Sequence, residues 1–374
     1  MVMSSDPVTT KSSRRSFLRN AAIVGAGVSA VSLLGSLAAP QARAAAAAYA
    51  HPGLLHTSAG IAALRTRTSA TTGPWASGWN AVKANARSQA GRSARPVAAL
   101  NTGGTGANYS QLLDDAHTAY QNALLWQLTG NTAHANTARD ILNAWSQTLT
   151  SISGQPEIGQ TAGIYGFVLA NAAEIVRDHA GFDVQRFGTM LTSVLYPASD
   201  AYLAAPLDSC TPRYATNWEL SHIASVLAIG LFCDDTAKVD RATTLITATP
   251  RIMNLVPYVW DGGHSDRYSV TGLGLLAVIC EMAWSQGRDL YASHGNRLLA
   301  ASEEVARFEL EPSETPTLGT WGTSATSPAW AIIHDHYVTR RGLSAPHTTT
   351  LADRARAEGG GFDQLGLGAF AYTL

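Results

Sequence analysis

Residues 109–149, YSQLLDDAHTAYQNALLWQLTGNTAHANTARDILNAWSQTL, decide the fold. Apolar residues recur every three or four positions on both sides of Gly130-Asn131, which is the spacing of one face of an α-helix. Gly is typical of the residue just after a helix, and Asn is typical of an N-cap. The stretch therefore predicts two helices joined by a very short loop, an arrangement that packs as an antiparallel hairpin.

The same helical spacing recurs along most of the chain, whereas alternating strand patterns are scarce. The predicted helices are Trp75–Ser88, Tyr109–Thr129, Asn131–Leu149, Gly159–His179, Asp183–Leu203, Asn217–Cys233, Thr236–Ala248, Ser269–Gly287, Asn296–Leu310 and Pro328–Arg341. They are too many for a four-helix bundle. We predict an all-α, single-domain, incomplete α/α toroid, in which helical hairpins ring a central groove, and a loop cap from Thr348 to the C-terminus.

The composition excludes several classes of protein. Of 374 residues, 14% are charged and 46% hydrophobic, and the formal net charge is −1. An average soluble protein is about 25% charged. Disorder and nucleic-acid binding are therefore not expected. Any anionic ligand must be held by a few local Arg, His or amide groups, because the protein has no strong overall positive field.

The N-terminus has the features of an export signal. The stretch SRRSFLR (13–19) contains the pair Arg14-Arg15, and an apolar, charge-free run, Ala21–Ala39, follows it. Ala42-Arg43-Ala44 is a small-x-small cleavage site, so a retained membrane anchor is the weaker interpretation. We expect a twin-arginine signal at 1–44 and the mature domain at 45–374. The mature protein would be extracellular or periplasmic, without a membrane anchor, and monomeric.

No cofactor or metal is predicted. The three cysteines do not have the spacing of a zinc site. Cys210 could pair with Cys233, while Cys280 lies in an apolar segment and is expected to be a buried thiol. His334 and His336 point about 200° apart on a helix, so they would not share an ion. Motifs of nucleotide-binding proteins, zinc proteases and serine hydrolases are absent from the sequence.

Two apolar helices carry polar and aromatic residues able to bind a sugar. His117, Tyr120 and Gln121 are spaced to share one helix face. They indicate either a groove wall with an aromatic platform or ordinary buried polar groups. Tyr165, in a glycine-rich helix start, is a further groove candidate. His336 and Tyr337 are predicted to lie in or just behind the groove.

A third cluster lies at the start of the helix predicted from Asn217. Arg213, Tyr214, Asn217, Trp218 and His222 gather there. Asn217 could simply cap the helix. However, so many groups able to bind a sugar are more typical of a binding site.

The most informative cluster follows a tight turn, Asp261-Gly262-Gly263. His264, Arg267 and Tyr268 come next, within about one helical turn of each other. They are the groups needed to remove a proton next to a carboxylate. A polar helix N-terminus is the alternative, although Arg near that end is unfavourable against the helix dipole.

Several stretches together resemble the alginate lyase superfamily of secreted bacterial proteins, which includes glucuronan lyases. They are HPGLLHT (51–57), YQNAL (120–124), NAW (143–145), ATNW (215–218), CEMAW (280–284) and the segment 361–374. The turn DGGH (261–264), followed by Arg267-Tyr268, also resembles a signature of heparinase-like lyases. The resemblance spans nearly the whole chain after residue 44. It implies an incomplete α/α toroid that cleaves an anionic uronate polysaccharide by β-elimination.

In such a reaction Asn217, His264 and Arg267 would neutralise the substrate carboxylate, and Tyr268 would act as base and then acid. Two alternatives remain open. A glycoside hydrolase on the same toroid needs two carboxyl groups about 5–10 Å apart, and the available residues are Asp115, Glu219, Asp261 and Asp266. A carbohydrate-binding protein without catalysis is the other.

Overall fold

The structure of the protein is a computed structural model. It describes residues 49–154, 158–204, 217–248, 266–311 and 327–357, with the backbone alone for 158–160 and 266–269. All of these residues belong to one compact unit, Ala47–Leu374. The predicted signal segment, Cys210, and the residues Arg213, Tyr214 and His264 lie outside the described residues.

The described chain forms helices that alternate between an inner and an outer position. Two helices precede the ring, α1 (Ser58–Arg67) and α2 (Gly73–Ala84). The inner helices are α3 (Tyr109–Thr129), α5 (Ile158–Ile175), α8 (Asn217–Phe232), α10 (Asp266–Trp284) and α12 (Pro328–His334), the last extended by a π-helical segment (Asp335–Arg340). The outer helices are α4 (Thr132–Thr148), α6 (Val184–Met190), α7 (Tyr196–Ala204), α9 (Thr236–Ala248), α11 (Ser293–Leu310) and α13 (Pro346–Ala357). Each inner helix packs against the next one, and outer helices cover them.

Neighbouring inner helices run in the same direction. On α3 and α5, the rings of His117 and Tyr165 are 6.2 Å apart. Ten residues further along both helices, Gln127 Nε2 donates to the carbonyl oxygen of Ile175 at 3.3 Å. Because each pair lies at a matching level, the N-terminal ends of α3 and α5 are on the same side of the ring.

The contact between α5 and α8 depends on two glycines. A Cβ at Gly163 would lie 2.9 Å from the backbone carbon of Ser221, and a Cβ at Gly166 would lie 2.9 Å from Cβ of Ser225. These positions therefore have no room for a side chain. The residues match in order along the two helices, so α8 also runs parallel to α5. This close approach is consistent with α8 being buried along its whole length.

Residues 49–57 pack against the opposite side of the ring, where the inner helices end. Glu174, buried near the end of α5, accepts from the backbone amide of Gly53 at 3.1 Å and lies 2.6 Å from His51 Nδ1. Asn171 accepts from the amide of Leu55 at 2.9 Å. Buried acceptors on α5 thus satisfy backbone donors of a segment that has no regular secondary structure.

Several sequence predictions are confirmed to the residue or nearly so. Helices α3 and α9 have the predicted bounds. Gly130 is left-handed with φ 73°, and the side chain of Asn131 accepts from the amide of Ala133 at 3.0 Å. Cys280 is fully buried. No helix within the described ranges combines the length and apolarity needed to cross a bilayer.

Other expectations are corrected. The segment from Thr348 is not all loop, because α13 covers Pro346–Ala357 and buries Leu351. Helix α1 was not predicted, and a two-stranded parallel sheet joins β1 (Ala99–Asn101) to β2 (Ser151–Ser153). The predicted helix Asp183–Leu203 is divided by a π-helical turn, Leu191–Leu195. Cys233 carries a free thiol.

Candidate active site

The N-terminal halves of α3, α5, α8 and α10 form one end of the ring, which we call the mouth. Asn217 is the first residue of α8, and it is buried. Arg267 and Tyr268 are the second and third residues of α10, which packs against α8. Asn217 and the backbone of Tyr268 therefore lie at the N-terminal ends of two adjacent inner helices, α8 and α10.

His117 contributes a buried imidazole to the mouth. Its ring contacts Tyr165, and its Nε2 has no hydrogen-bond partner among the described residues. Burial, together with the nearby Arg87, lowers the pKa of His117 to about 4. The ring is therefore neutral near pH 7, and a buried nitrogen without a partner is costly unless a ligand or water satisfies it.

Tyr165 lies beside His117 on the neighbouring helix. Burial raises the pKa of its hydroxyl well above the usual value of 10.0, mainly through loss of solvation. A phenol in this state remains protonated. Tyr165 is thus suited to donate a hydrogen bond rather than to remove a proton.

His222 is a second buried imidazole, on α8. Its Nδ1 lies 3.0 Å from the hydroxyl oxygen of Ser199, and its ring stacks on Tyr202 at 4.3 Å. Its Nε2 has no hydrogen-bond partner in the described part of the chain. Loss of solvation lowers the pKa of His222 to about 3, so this ring is also neutral near pH 7.

Trp218 is the part-buried aromatic group of the mouth. Its ring lies 6.4 Å from that of Tyr202, which contacts His222 in turn. An indole with partial exposure can present a face to a pyranose ring. Trp218 therefore remains a candidate for stacking on the substrate.

Sequence reasoning missed the ion pairs next to His117. Arg87 donates to Oδ1 of Asp114 through Nε at 3.0 Å and a terminal nitrogen at 2.7 Å, while Arg95 reaches Oδ2 at 2.8 Å. Arg87 lies far from Asp114 in the sequence, and no local motif indicates that the two residues form an ion pair. Ser199 and Tyr202 were missed for the same reason, since they approach His222 only through packing of α7 on α8.

Tyr120 and Gln121 are ordinary buried groups and not a groove wall, which decides between the two interpretations of their helix face. The hydroxyl of Tyr120 is 2.7 Å from His56 Nε2, and the ring is 1% exposed. The side-chain oxygen of Gln121 accepts from the hydroxyl of Ser88 at 2.9 Å. Both side chains are buried between α3 and the segments that precede it, so they bind other parts of the protein.

His336 and Tyr337 are also interior residues, so of the two predicted positions, in the groove or just behind it, the position in the groove is wrong. His336 stacks on Tyr291 at 3.7 Å, and the hydroxyl of Tyr337 donates to the carbonyl oxygen of Tyr291 at 2.7 Å. Both rings belong to the π-helical segment and are buried. Neither offers an exposed face to a sugar.

The four carboxyl groups proposed for a hydrolase differ in their location. Asp115 is buried and accepts from Trp145 Nε1 at 2.8 Å and from the amide of Arg95 at 2.7 Å. These bonds connect α3 to α4 and to the segment before α3, so the role of Asp115 is structural. Glu219 is buried at the mouth. Asp261 and the side chain of Asp266 lie outside the described residues.

No group of His, Cys, Asp and Glu able to hold a metal ion occurs among the described side chains. His334 and His336 have separate surroundings. A terminal nitrogen of Arg356 lies 3.1 Å from His334 Nδ1, whereas His336 packs among aromatic rings.

Comparison with known proteins identifies the family. The family model described as "Alginate lyase" matches residues 75–315, which is more than half of the chain. The chain belongs to the alginate lyase family. It is accordingly a polysaccharide lyase. No curated protein sequence matches it significantly.

Solved structures of alginate lyases share the fold. The enzyme from Bacteroides ovatus has a TM-score of 0.60 and 13% identity, covering 81% of this chain and 95% of that one. Alginate lyase A1-III from Sphingomonas species A1 has a TM-score of 0.58 and 14% identity, covering 84% and 94%. A tyrosine-to-phenylalanine variant of A1-III, complexed with a tetrasaccharide, has a TM-score of 0.64 and 15% identity, covering 84% and 94%. The fold of this alginate lyase family member is the predicted incomplete α/α toroid.

Proposed function

We propose that the protein cleaves a uronate polymer of the alginate or glucuronan type by β-elimination. The observation that carries the proposal is the position of Asn217 at the start of α8, next to the helix that begins with Asp266-Arg267-Tyr268. Two neutral buried imidazoles, His117 and His222, lie in the N-terminal halves of α3 and α8.

The first task of the site is to weaken the charge of the uronate carboxylate. The proton on C5 is too weakly acidic while the neighbouring carboxylate is fully charged, so hydrogen bonds must stabilise the negative charge that develops there. Asn217, His264 and Arg267 take this role. The N-terminal ends of α8 and α10 support it, because a helix N-terminus carries partial positive charge.

Tyr268 is the base. Its phenolate takes the C5 proton, the C5–H electron pair forms the C4=C5 double bond, and the bond from C4 to the glycosidic oxygen breaks. The same tyrosine then passes its proton to the departing oxygen, which balances the step in a syn elimination. A tyrosine ordinarily titrates near 10, and a neighbouring Arg267 favours the phenolate.

The remaining candidate residues bind the chain of sugars. His117, Tyr165 and His222 are neutral groups that can donate to sugar hydroxyls or to the carboxylate without adding charge. Trp218 and Tyr214 offer aromatic faces, and Arg213 adds a cation for neighbouring uronates. No cofactor is required in this scheme.

The names of the structural relatives set the first polymer to test. They are alginate lyases, and one of them is complexed with a tetrasaccharide. Alginate is therefore the first substrate, with glucuronan as the second. We also propose that residues 45–374 form a single catalytic domain that is exported by the twin-arginine route, loses residues 1–44 and acts outside the cytoplasm as a monomer.

The test is a comparison of products from alginate, glucuronan and a glycosaminoglycan. β-Elimination creates a double bond conjugated with the carboxylate, which absorbs ultraviolet light, together with one new reducing end per cleavage. A hydrolase produces reducing ends alone, and a binding protein produces neither. Equal rates of ultraviolet absorbance and reducing ends on one uronate polymer are expected. Reducing ends without absorbance would refute the proposal.

A further inference from the structure

A cavity of about 360 Å³ lies where α3 and α5 end, on the side of the ring opposite the mouth. Its walls come from Pro52, from α1, from the last turns of α3, from the end of α5 and from the residues just after α5. We propose that this cavity is a second, non-catalytic binding site for one sugar unit of a uronate polymer. We call it the rear site and define it by Arg65, Trp126, Gln127, Arg177 and Asp178. The choice of polymer rests on the proposed function.

Trp126 provides the stacking face of the rear site. It lines the cavity and is part-buried, and its indole is tilted at 59° to the ring of His179 with 5.1 Å between ring centres. Contact with the protein holds the indole in place on that side. An aromatic ring that is both fixed and partly open is suited to the apolar face of a pyranose.

Arg65 provides a fixed cation beside the indole. Its Nε and one terminal nitrogen both donate to the carbonyl oxygen of Gln127, at 3.0 and 2.6 Å. That carbonyl is near the end of α3, so the bonds anchor the guanidinium next to Trp126. A planar guanidinium can still donate through its remaining nitrogen, and a uronate carboxylate is a suitable acceptor.

The opposite wall is mixed in charge, which fits a sugar better than a simple anion. Glu174 is occupied by His51 and by the amide of Gly53. Arg177 donates to the carbonyl oxygen of Phe232 at 2.9 Å and to Glu174 at 3.4 Å. The carboxylate of Asp178 also lines the cavity and can accept from sugar hydroxyls. The rear site therefore combines an aromatic face, a cation and a hydroxyl acceptor.

The rear site is separate from the mouth. Trp126 follows His117 by nine residues on α3, which places it about 13 Å further along the helix axis. A trisaccharide whose reacting sugar is bound at the mouth extends by at most two further sugars, which is too short to reach it. A long polymer could occupy both sites, and the second contact would then raise its apparent affinity without touching the reacting sugar.

The experiment measures retention of the full chain in native gels containing alginate, glucuronan or neutral dextran, together with lyase rates on polymer and on a trisaccharide. Trp126→Ala and Arg65→Ala are compared with Trp75→Ala. Trp75 is a matched control because it is also part-buried and has an arginine, Arg67, 4.2 Å from its ring centre, yet it does not line the cavity. Arg65 is exposed, so its variant remains informative if Trp126→Ala fails to fold.

We expect retention by a uronate polymer to weaken about tenfold in Trp126→Ala and to weaken measurably in Arg65→Ala. Retention of Trp75→Ala should equal that of the wild type. The rate on the trisaccharide should be unchanged. Retention that is unaltered in both variants, or a wild-type protein retained by no uronate polymer, would overturn the rear site. If retention changes as expected but no polymer yields unsaturated ends, the rear site stands and the proposed β-elimination fails.

Discussion

Nδ1 of His222 lies 3.0 Å from the hydroxyl oxygen of Ser199, so a residue of α7 sets the orientation of an imidazole on α8. Both side chains are fully buried. Ser199→Ala should lower the free energy of unfolding by about 1–3 kcal/mol, because it leaves Nδ1 buried without a partner. Urea denaturation measures this change. Ser221→Ala is the control, since that hydroxyl donates to the carbonyl oxygen of Trp218 in its own helix at 2.7 Å. Equal losses in the two variants would count against an orienting role.

Stability should fall on acidification below about pH 6.5. Burial lowers the pKa values of His56 and His117 to about 4 and that of His222 to about 3, from 6.5. Between these pH values the unfolded chain binds protons that the folded chain does not bind. Each group therefore lowers the free energy of unfolding by up to about 1.4 kcal/mol per pH unit. His51 acts oppositely, because its hydrogen bond to Glu174 raises its pKa; its contribution is complete below 6.5 and is lost at higher pH.

Urea unfolding at pH 7 and at pH 5 tests this balance. The wild type should be less stable at pH 5, and His222→Gln should lose less stability between the two pH values than the wild type does. A variant with the same pH dependence as the wild type would show that His222 is not the neutral buried group described above.

Gly163→Ala should be strongly destabilising. The added methyl group would lie 2.9 Å from the backbone of Ser221, so α5 and α8 would have to separate. We expect a loss of about 1–3 kcal/mol. Gly274→Ala is the matched control, because it is also helical and its Cβ would meet only Cβ of Ala329 at 3.4 Å. Thermal unfolding of the two variants measures the difference, and similar melting temperatures would refute the packing argument.

The sequence predicted the helices well because their periodicity is local. The sequence does not predict helix α13, because its segment, PHTTTLADRARA, is largely polar and such a segment favours a loop. The orientation of side chains was harder to predict. In a double ring both faces of an inner helix are buried, so the shared face of His117, Tyr120 and Gln121 could not show that only His117 approaches the mouth. The partners of His222 depend on α7, whose position no sequence motif determines.

Export should depend on the twin-arginine pair. Replacing Arg14 and Arg15 by Lys should leave the precursor in the cytoplasm, because that pathway reads the paired arginines. Immunoblots of cell fractions measure the outcome, with a Lys11→Arg variant as the control for a charge-conserving change in the same segment. Unchanged secretion of the double variant would rule out this route.

The most direct test of the central claim is the rate at which unsaturated ends form on a uronate polymer with the wild type, Tyr268→Phe and Asn217→Ala. Tyr268→Phe removes one oxygen and keeps the ring, so polymer binding should persist while the rate falls by about 10²–10⁴. Asn217→Ala should lower kcat by about 10²–10³ through lost stabilisation of the carboxylate. Near-normal formation of unsaturated ends by a folded Tyr268→Phe variant would contradict its role as the base. The same result with Asn217→Ala as well would contradict the proposed site.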